Sequence, residues 1–158
     1  VNMVSVHTLL EPLLMANTPD LFDLPGHVIR RLHQQSSSVF QDRTRAAGFD
    51  VTSVQFAALS ILGNEPELDQ AGLAKRIAYD RATIGGVIKR LEQKGWVSRH
   101  PDDVDRRAIK VSLTSQGRAA LEELTPIVLA LQSDIMPNLS TAERSSLVEL
   151  MRRALNAG

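Results

Sequence analysis

From Asp69 to Leu113 the chain runs DQAGLAKRIAYDRATIGGVIKRLEQKGWVSRHPDDVDRRAIKVSL, and within it the apolar period changes from helical to alternating. Asp69 stands where it can cap a short helix through Ala71, Leu73, Ala74 and Ile77. After a turn at Ala78, Tyr79 and Asp80, the residues Ile84, Val87, Ile88 and Leu91 recur at i, i+3, i+4 and i+7, the spacing of one buried helical stripe. Gly95 stops that helix. Trp96 to His100 and Ala108 to Leu113 then alternate as two strands around the polar loop Pro101 to Arg107. Two short helices of fixed order and a hairpin directly after them leave very few ways to bury three apolar faces together.

The flanks extend this pattern. Pro19 to Pro25, with Asp20 and Asp23, has helix-start chemistry, and Val28, Leu32, Val39 and Phe40 keep a helical spacing as far as Gly48. Thr52 with Gln55 forms a capping box for a helix through Phe56, Leu59 and Leu62 that stops at Gly63 and Pro66. Thr114 opens another helix through Leu121, Leu124, Val128 and Leu131, with Pro126 inside it to kink it or remove one hydrogen bond. Ser140 with Glu143 is a second capping box, for a last helix through Leu147, Leu150, Met151 and Leu155. The expected order is ααααββαα. The fold class is mainly α with a small β-hairpin wing, a winged helix-turn-helix over residues 50–113, with a helical dimerisation region drawn from both ends, residues 20–48 and 114–157. Leu121, Leu124, Ile127, Val128 and Leu131 exceed what one side of a short helix needs, so the terminal helices are expected to meet a second copy of the chain.

Charge points to a partner. The 158 residues carry 18 Lys and Arg against 18 Asp and Glu, yet Gln70 to Leu113 holds ten of the bases (Lys75, Arg76, Arg81, Lys89, Arg90, Lys94, Arg99, Arg106, Arg107 and Lys110) and only five of the acids. Clustered cations attract phosphate through a local field even when the whole chain is neutral. There are no cysteines, which excludes disulfides and thiolate metal sites. No apolar run reaches the roughly 18 residues of a membrane span, and no basic leader precedes Leu9 to Met15, so a cytoplasmic location is expected. His7, His27, His33 and His100 lack the paired spacing of a metal site. No phosphate-binding glycine loop, G-x-S-x-G elbow or HExxH is present, so no cofactor, metal or catalytic activity is expected. A metal-responsive regulator and a winged-helix protein-interaction module stand as the alternatives to a DNA reader.

The run LAKRIAYDRATIGGVIKRLEQKGWVSRHPDDVDRRAIKVSLTSQG resembles the MarR family of bacterial transcription regulators, including the helix start LTSQG after the second strand. The resemblance implies a homodimeric winged-helix repressor that binds a palindromic double-stranded DNA operator and is released by a small aromatic acid. It places Thr83 at base edges in the major groove, with Arg81, Gly86, Lys89 and Arg90 on the same helix, and it places Arg106, with Asp105, at the wing tip in the minor groove and Arg107 at its base. Asp105 with Arg107 reads equally as an ion pair that braces the wing. Ala82 and Gly86 stand where many members of that family carry a hydroxyl and a long polar or basic side chain, and Gly85 adjoins Gly86. Two glycines inside a helix cost roughly 1 kcal/mol each relative to Ala, so close approach of the helix backbone to DNA or to a neighbouring helix is expected.

For an effector, the resemblance points to a crevice between the dimerising helices and the winged domain. His27 and Arg31 share a helix face at i, i+4, and Phe49 and Phe56 supply aromatic walls, a set suited to a planar carboxylate. The stretch LFDLPGHVIRRLHQQSSSVFQDR is similar to the branch that represses nicotinate degradation, which implies 6-hydroxynicotinate as inducer.

Overall fold

A computed structural model of the chain describes residues 20–102, 105 and 108–155. The chain divides into two compact units, residues 1–35 and 36–158. In the first, the Asp20 carboxylate accepts the Phe22 N–H at 2.9 Å and starts a 3-10 turn, Leu21–Asp23. Helix α1, Pro25–Ala46, follows, with proline at its first position, where a missing N–H is harmless.

In the second unit, the end of α1 buries Phe40 and Thr44, the latter donating its hydroxyl to the Phe40 carbonyl at 2.9 Å. Helix α2, Ser53–Asn64, opens on the expected capping box: the Thr52 hydroxyl accepts the Gln55 N–H, and the Gln55 side chain accepts the Thr52 N–H. Strand β1, Leu68–Asp69, and helix α3, Gln70–Ile77, come next, with Asp69 capping the Gly72 N–H at 2.6 Å. Ala78 ends α3 in the left-handed region, φ +59°, and reverses the chain into α4, Arg81–Gln93. Ile84, Val87, Ile88 and Leu91 are buried along one stripe of α4, as their spacing requires.

Gly95, φ +73°, lets Trp96 donate back to the Leu91 carbonyl and turns the chain into β2, Val97–Pro101, which pairs antiparallel with β3, Ile109–Leu113. The expected two-stranded wing is a three-stranded sheet, in the order β1-β3-β2. Leu68 pairs with Val111 and Asp69 with Lys110. Two residues carry no readable alternation, so this strand was invisible to a periodicity argument.

Helix α5, Ser115–Ala130, runs through Pro126 as one element, and the Thr125 hydroxyl donates to the Leu121 carbonyl at 2.6 Å one turn before it. A short helix α6, Gln132–Ile135, was not expected. Helix α7, Thr141–Leu155, opens on the Ser140 and Glu143 capping box. The apolar excess of α5 is partly satisfied within the chain, because Leu124, Val128 and Leu131 are buried. The large apolar side chains that α5 and α7 leave exposed are Leu129, Leu150, Met151 and Leu155, and α7 buries none of its residues.

Candidate functional site

The stripe that buries α4 on one side turns Ala82, Thr83, Gly86, Lys89 and Arg90 outward on the other. Asp80 caps the helix twice over. Its Oδ1 accepts the Thr83 N–H at 2.9 Å and its Oδ2 accepts the Thr83 hydroxyl at 2.5 Å. These bonds, the hydroxyl first, hold the Asp80 carboxyl below its ordinary range. The two glycines separate cleanly. A Cβ on Gly85 would stand 3.0 Å from the Gln70 amide nitrogen, which donates to the Arg81 carbonyl, so Gly85 answers to packing inside the protein. A Cβ on Gly86 would meet nothing within 4 Å. Its absence leaves a flat, open place in the middle of the exposed face.

The local positive charge also sorts into two classes. Arg76 pairs with Glu65 at 2.6 Å, Arg99 with Glu92 at 3.3 Å, and Lys110 with Asp102 at 3.0 Å. Lys94 donates to the Asp50 carbonyl at 2.5 Å and stands over the Trp96 ring. Arg81, Lys89 and Arg90 have no ion-pair partner among the described residues, and all three are exposed on α4. Three of the cations without an ion pair among the described residues thus lie on the exposed side of α4, and Lys75, also exposed and without an ion pair among them, lies on α3.

Of the wing residues expected to touch DNA, Arg106 and Arg107 lie outside the described residues, and so does the expected pairing of Asp105 with Arg107. What closes the hairpin among the described residues is Asp102. Its Oδ1 accepts the Asp105 N–H at 3.0 Å, its Oδ2 pairs with Lys110, and its own N–H donates to the Ala108 carbonyl. The Asp102 bond is also the main reason the Lys110 ammonium is held above its usual range. At the other end of the hairpin, the Thr114 hydroxyl donates to the Gly95 carbonyl and accepts the Gly117 N–H, tying α5 to the end of α4.

The four residues expected to hold an effector fall into separate clusters. In the first unit, Arg31 stands 5.5 Å from the Phe22 ring centroid, and Phe22 meets His27 edge-on. The His27 Nδ1 accepts from Arg30. A groove of about 460 Å³ runs along Phe22, Val28, Arg31 and Leu32. In the second unit, Phe49 faces Trp96 and Phe56 faces Phe40, so the two phenylalanines do not share one wall. Phe56 instead lines a groove of about 370 Å³ between α2 and α5, with Ser60, Asn64, Leu121, Thr125 and Arg118. Arg118 was missed in the sequence because only the packing of α2 on α5 brings it beside Phe56. Of the histidines weighed as metal ligands, His7 lies outside the described residues, and the His100 ring lies between Pro101 O and Ser112 Oγ.

The MarR family model matches residues 51–109. Across 142 residues, 89% of each chain, the protein is 34% identical to the HTH-type transcriptional repressor NicR of Pseudomonas putida. Among solved structures it is similar to BpsR of Bordetella bronchiseptica, whose DNA binding is regulated by 6-hydroxynicotinic acid. That match has a TM-score of 0.82 and 30% identity and covers 90% of this chain and all of that one. A mutant MarR of Escherichia coli complexed with operator DNA matches with a TM-score of 0.77 and 28% identity, covering 87% of this chain and 99% of the other. With a helix-turn-helix, a paired wing and this similarity along nearly its whole length, the chain belongs to the MarR family of winged helix-turn-helix transcriptional regulators.

Proposed function

We propose that the protein is a homodimeric repressor that seats α4 of each subunit in the major groove of a palindromic operator and is released by a small aromatic carboxylate such as 6-hydroxynicotinate. The observation that carries this reading is the outer face of α4, where Arg81, Lys89 and Arg90 stand without an ion pair among the described residues, around Thr83 and the open place at Gly86. Phosphate neutralisation by such cations releases counterions and supplies affinity, and groups at base edges supply sequence preference. Arg106 and Arg107 extend the contact to the minor groove and the neighbouring phosphates. Residues 50–113 form the reading head. Residues 20–48 and 114–157 form the dimer, burying the exposed apolar side chains of α7 against a second copy.

For the effector we take the groove between α2 and α5, with Phe56 against the ring and Arg118 on the carboxylate. Its volume is in the range of small-molecule sites. Arg31 with Phe22 is the alternative seat, with His27 edge-on to the Phe22 ring. Either seat acts by binding one arrangement of the dimer better than the other, which changes the spacing of the two reading helices. NicR, named a repressor, and BpsR, regulated by 6-hydroxynicotinic acid, support the choice of both sign and ligand. The test is fluorescence anisotropy on duplex DNA from upstream of its own gene, with and without a panel of aromatic acids. Release by 6-hydroxynicotinate supports the whole reading. Tight binding that no acid disturbs removes the effector, and no binding at low salt removes the DNA reader.

A further inference from the structure

The start of α4 is chemically one-sided. Asp80 is an ionised carboxylate that can only accept, so the 2.5 Å contact to Thr83 has a single possible polarity: the Thr83 hydroxyl donates. Its one hydrogen is committed to Asp80. What Thr83 presents to anything approaching the exposed face is an oxygen with lone pairs, beside the remaining lone pairs of Asp80 itself. Thr83 itself has no other hydrogen to offer, because its N–H is also taken by Asp80.

Resting on the reading that α4 enters the major groove, we infer that Asp80 fixes Thr83 as an acceptor, so that the base it meets must carry an exocyclic amino group. In the major groove adenine offers N6–H2 and cytosine N4–H2, whereas guanine and thymine offer only O6 and O4 at the matching edge. Thr83 therefore separates amino bases from keto bases on the strand it faces. An adenine-for-cytosine exchange there is tolerated. An exchange of adenine for thymine, or of cytosine for guanine, sets a carbonyl oxygen against the lone pairs of Thr83. Asp80 acts through Thr83 and is a positioning residue. It also explains why a hydroxyl here makes a poor phosphate contact: a phosphate oxygen needs a donor.

The test uses the full-length dimer and the tightest duplex recovered from a randomised pool, with all four bases placed in turn at each half-site position, symmetrically in both halves. One position is expected to show adenine and cytosine bound alike and guanine and thymine bound about tenfold more weakly. Thr83→Val, which keeps the shape and removes the oxygen, should flatten that pattern. Asp80→Asn is the decisive variant. Asparagine still caps the helix through its carbonyl, but the amide nitrogen it puts in place of Oδ2 donates to Thr83 and frees the hydroxyl hydrogen, so the preference should move toward keto bases. Circular dichroism and the thermal midpoint verify that both variants remain folded. Sequence-specific binding with no amino-against-keto position, or a pattern unchanged in a folded Asp80→Asn, overturns the inference and leaves the DNA reader standing. Binding with no sequence preference at all overturns the underlying reading of α4 instead.

Discussion

The side-chain amide of Gln70, at the start of α3, donates to the Arg81 carbonyl at 3.0 Å and occupies the space a Cβ on Gly85 would need. One contact thus sets the approach of α3 to α4 and accounts for one of the two adjacent glycines. Gly85→Ala gains helix propensity but must displace that amide, so its stability should stay close to wild type. Gly86→Ala meets no neighbour and should stabilise the fold by up to about 1 kcal/mol while weakening operator binding. Denaturant unfolding with binding titrations of both variants checks this. A Gly86→Ala protein that binds DNA as well as wild type would show that the open place is not used.

Gly117 lies where a Cβ would come within 1.8 Å of the Trp96 carbonyl oxygen, which itself accepts the Thr114 N–H. Both partners are backbone and neither can swing away. Gly117→Ala should therefore cost about 2 kcal/mol or more, lowering the unfolding midpoint, whereas Ala119→Gly on the exposed side of α5 should cost no more than about 1 kcal/mol.

Lys89 and Lys94 lie less than two turns apart in sequence, yet they should fail in opposite ways. Lys89 is exposed without an ion-pair partner among the described residues, and Lys94 is tied to Asp50 and Trp96. Lys89→Ala should weaken operator binding and reduce the slope of log affinity against log salt by about 1, with stability unchanged. Lys94→Ala should lower stability and leave the slope intact. Arg106→Ala should behave as Lys89→Ala does while the dimer persists.

Arg118 and Phe56 line the same groove, although 62 positions separate them in the sequence. Arg118→Gln should keep operator affinity within about twofold and raise the concentration of 6-hydroxynicotinate needed for release by tenfold or more, the scale of a lost charge-assisted hydrogen bond. If Arg31→Gln gives that result and Arg118→Gln does not, the effector belongs to the Phe22 groove.

The carboxyls of Asp80 and Glu143 are both held below their ordinary values, chiefly by the hydroxyls of Thr83 and Ser140. A depressed carboxylate stabilises the fold fully above its unfolded value and loses that contribution as pH falls through the folded one. Glu143→Gln should therefore be less stable than wild type at neutral pH, and the gap should close as pH falls through and below the ordinary glutamate range. Denaturation midpoints across that range measure it. A gap independent of pH would mean that the charge of Glu143 contributes nothing.

What could be read from the sequence was local. Thr52 with Gln55, Asp69, and Ser140 with Glu143 announce helix starts because a capping bond spans only three residues, and Ile84, Val87, Ile88 and Leu91 announce a buried stripe because a helix repeats every 3.6 residues. The family motif followed from the same short spacings, and with it the helix and wing on which a DNA contact was expected. What could not be read was every choice among distant partners. The pairing of Leu68 with Val111 adds a third strand too short to carry a period. The acids Glu65, Asp50, Glu92 and Asp102 take four of the cations and leave Arg81, Lys89 and Arg90 on α4, with Lys75 on α3, without ion pairs among the described residues. Gln70 distinguishes Gly85 from Gly86, and the packing of α2 on α5 sets Arg118 beside Phe56. Spacing along the chain encodes contacts within a turn or two of a helix. Contacts across the fold depend on how the elements pack, so only the tertiary structure decided which charges remain available to a partner.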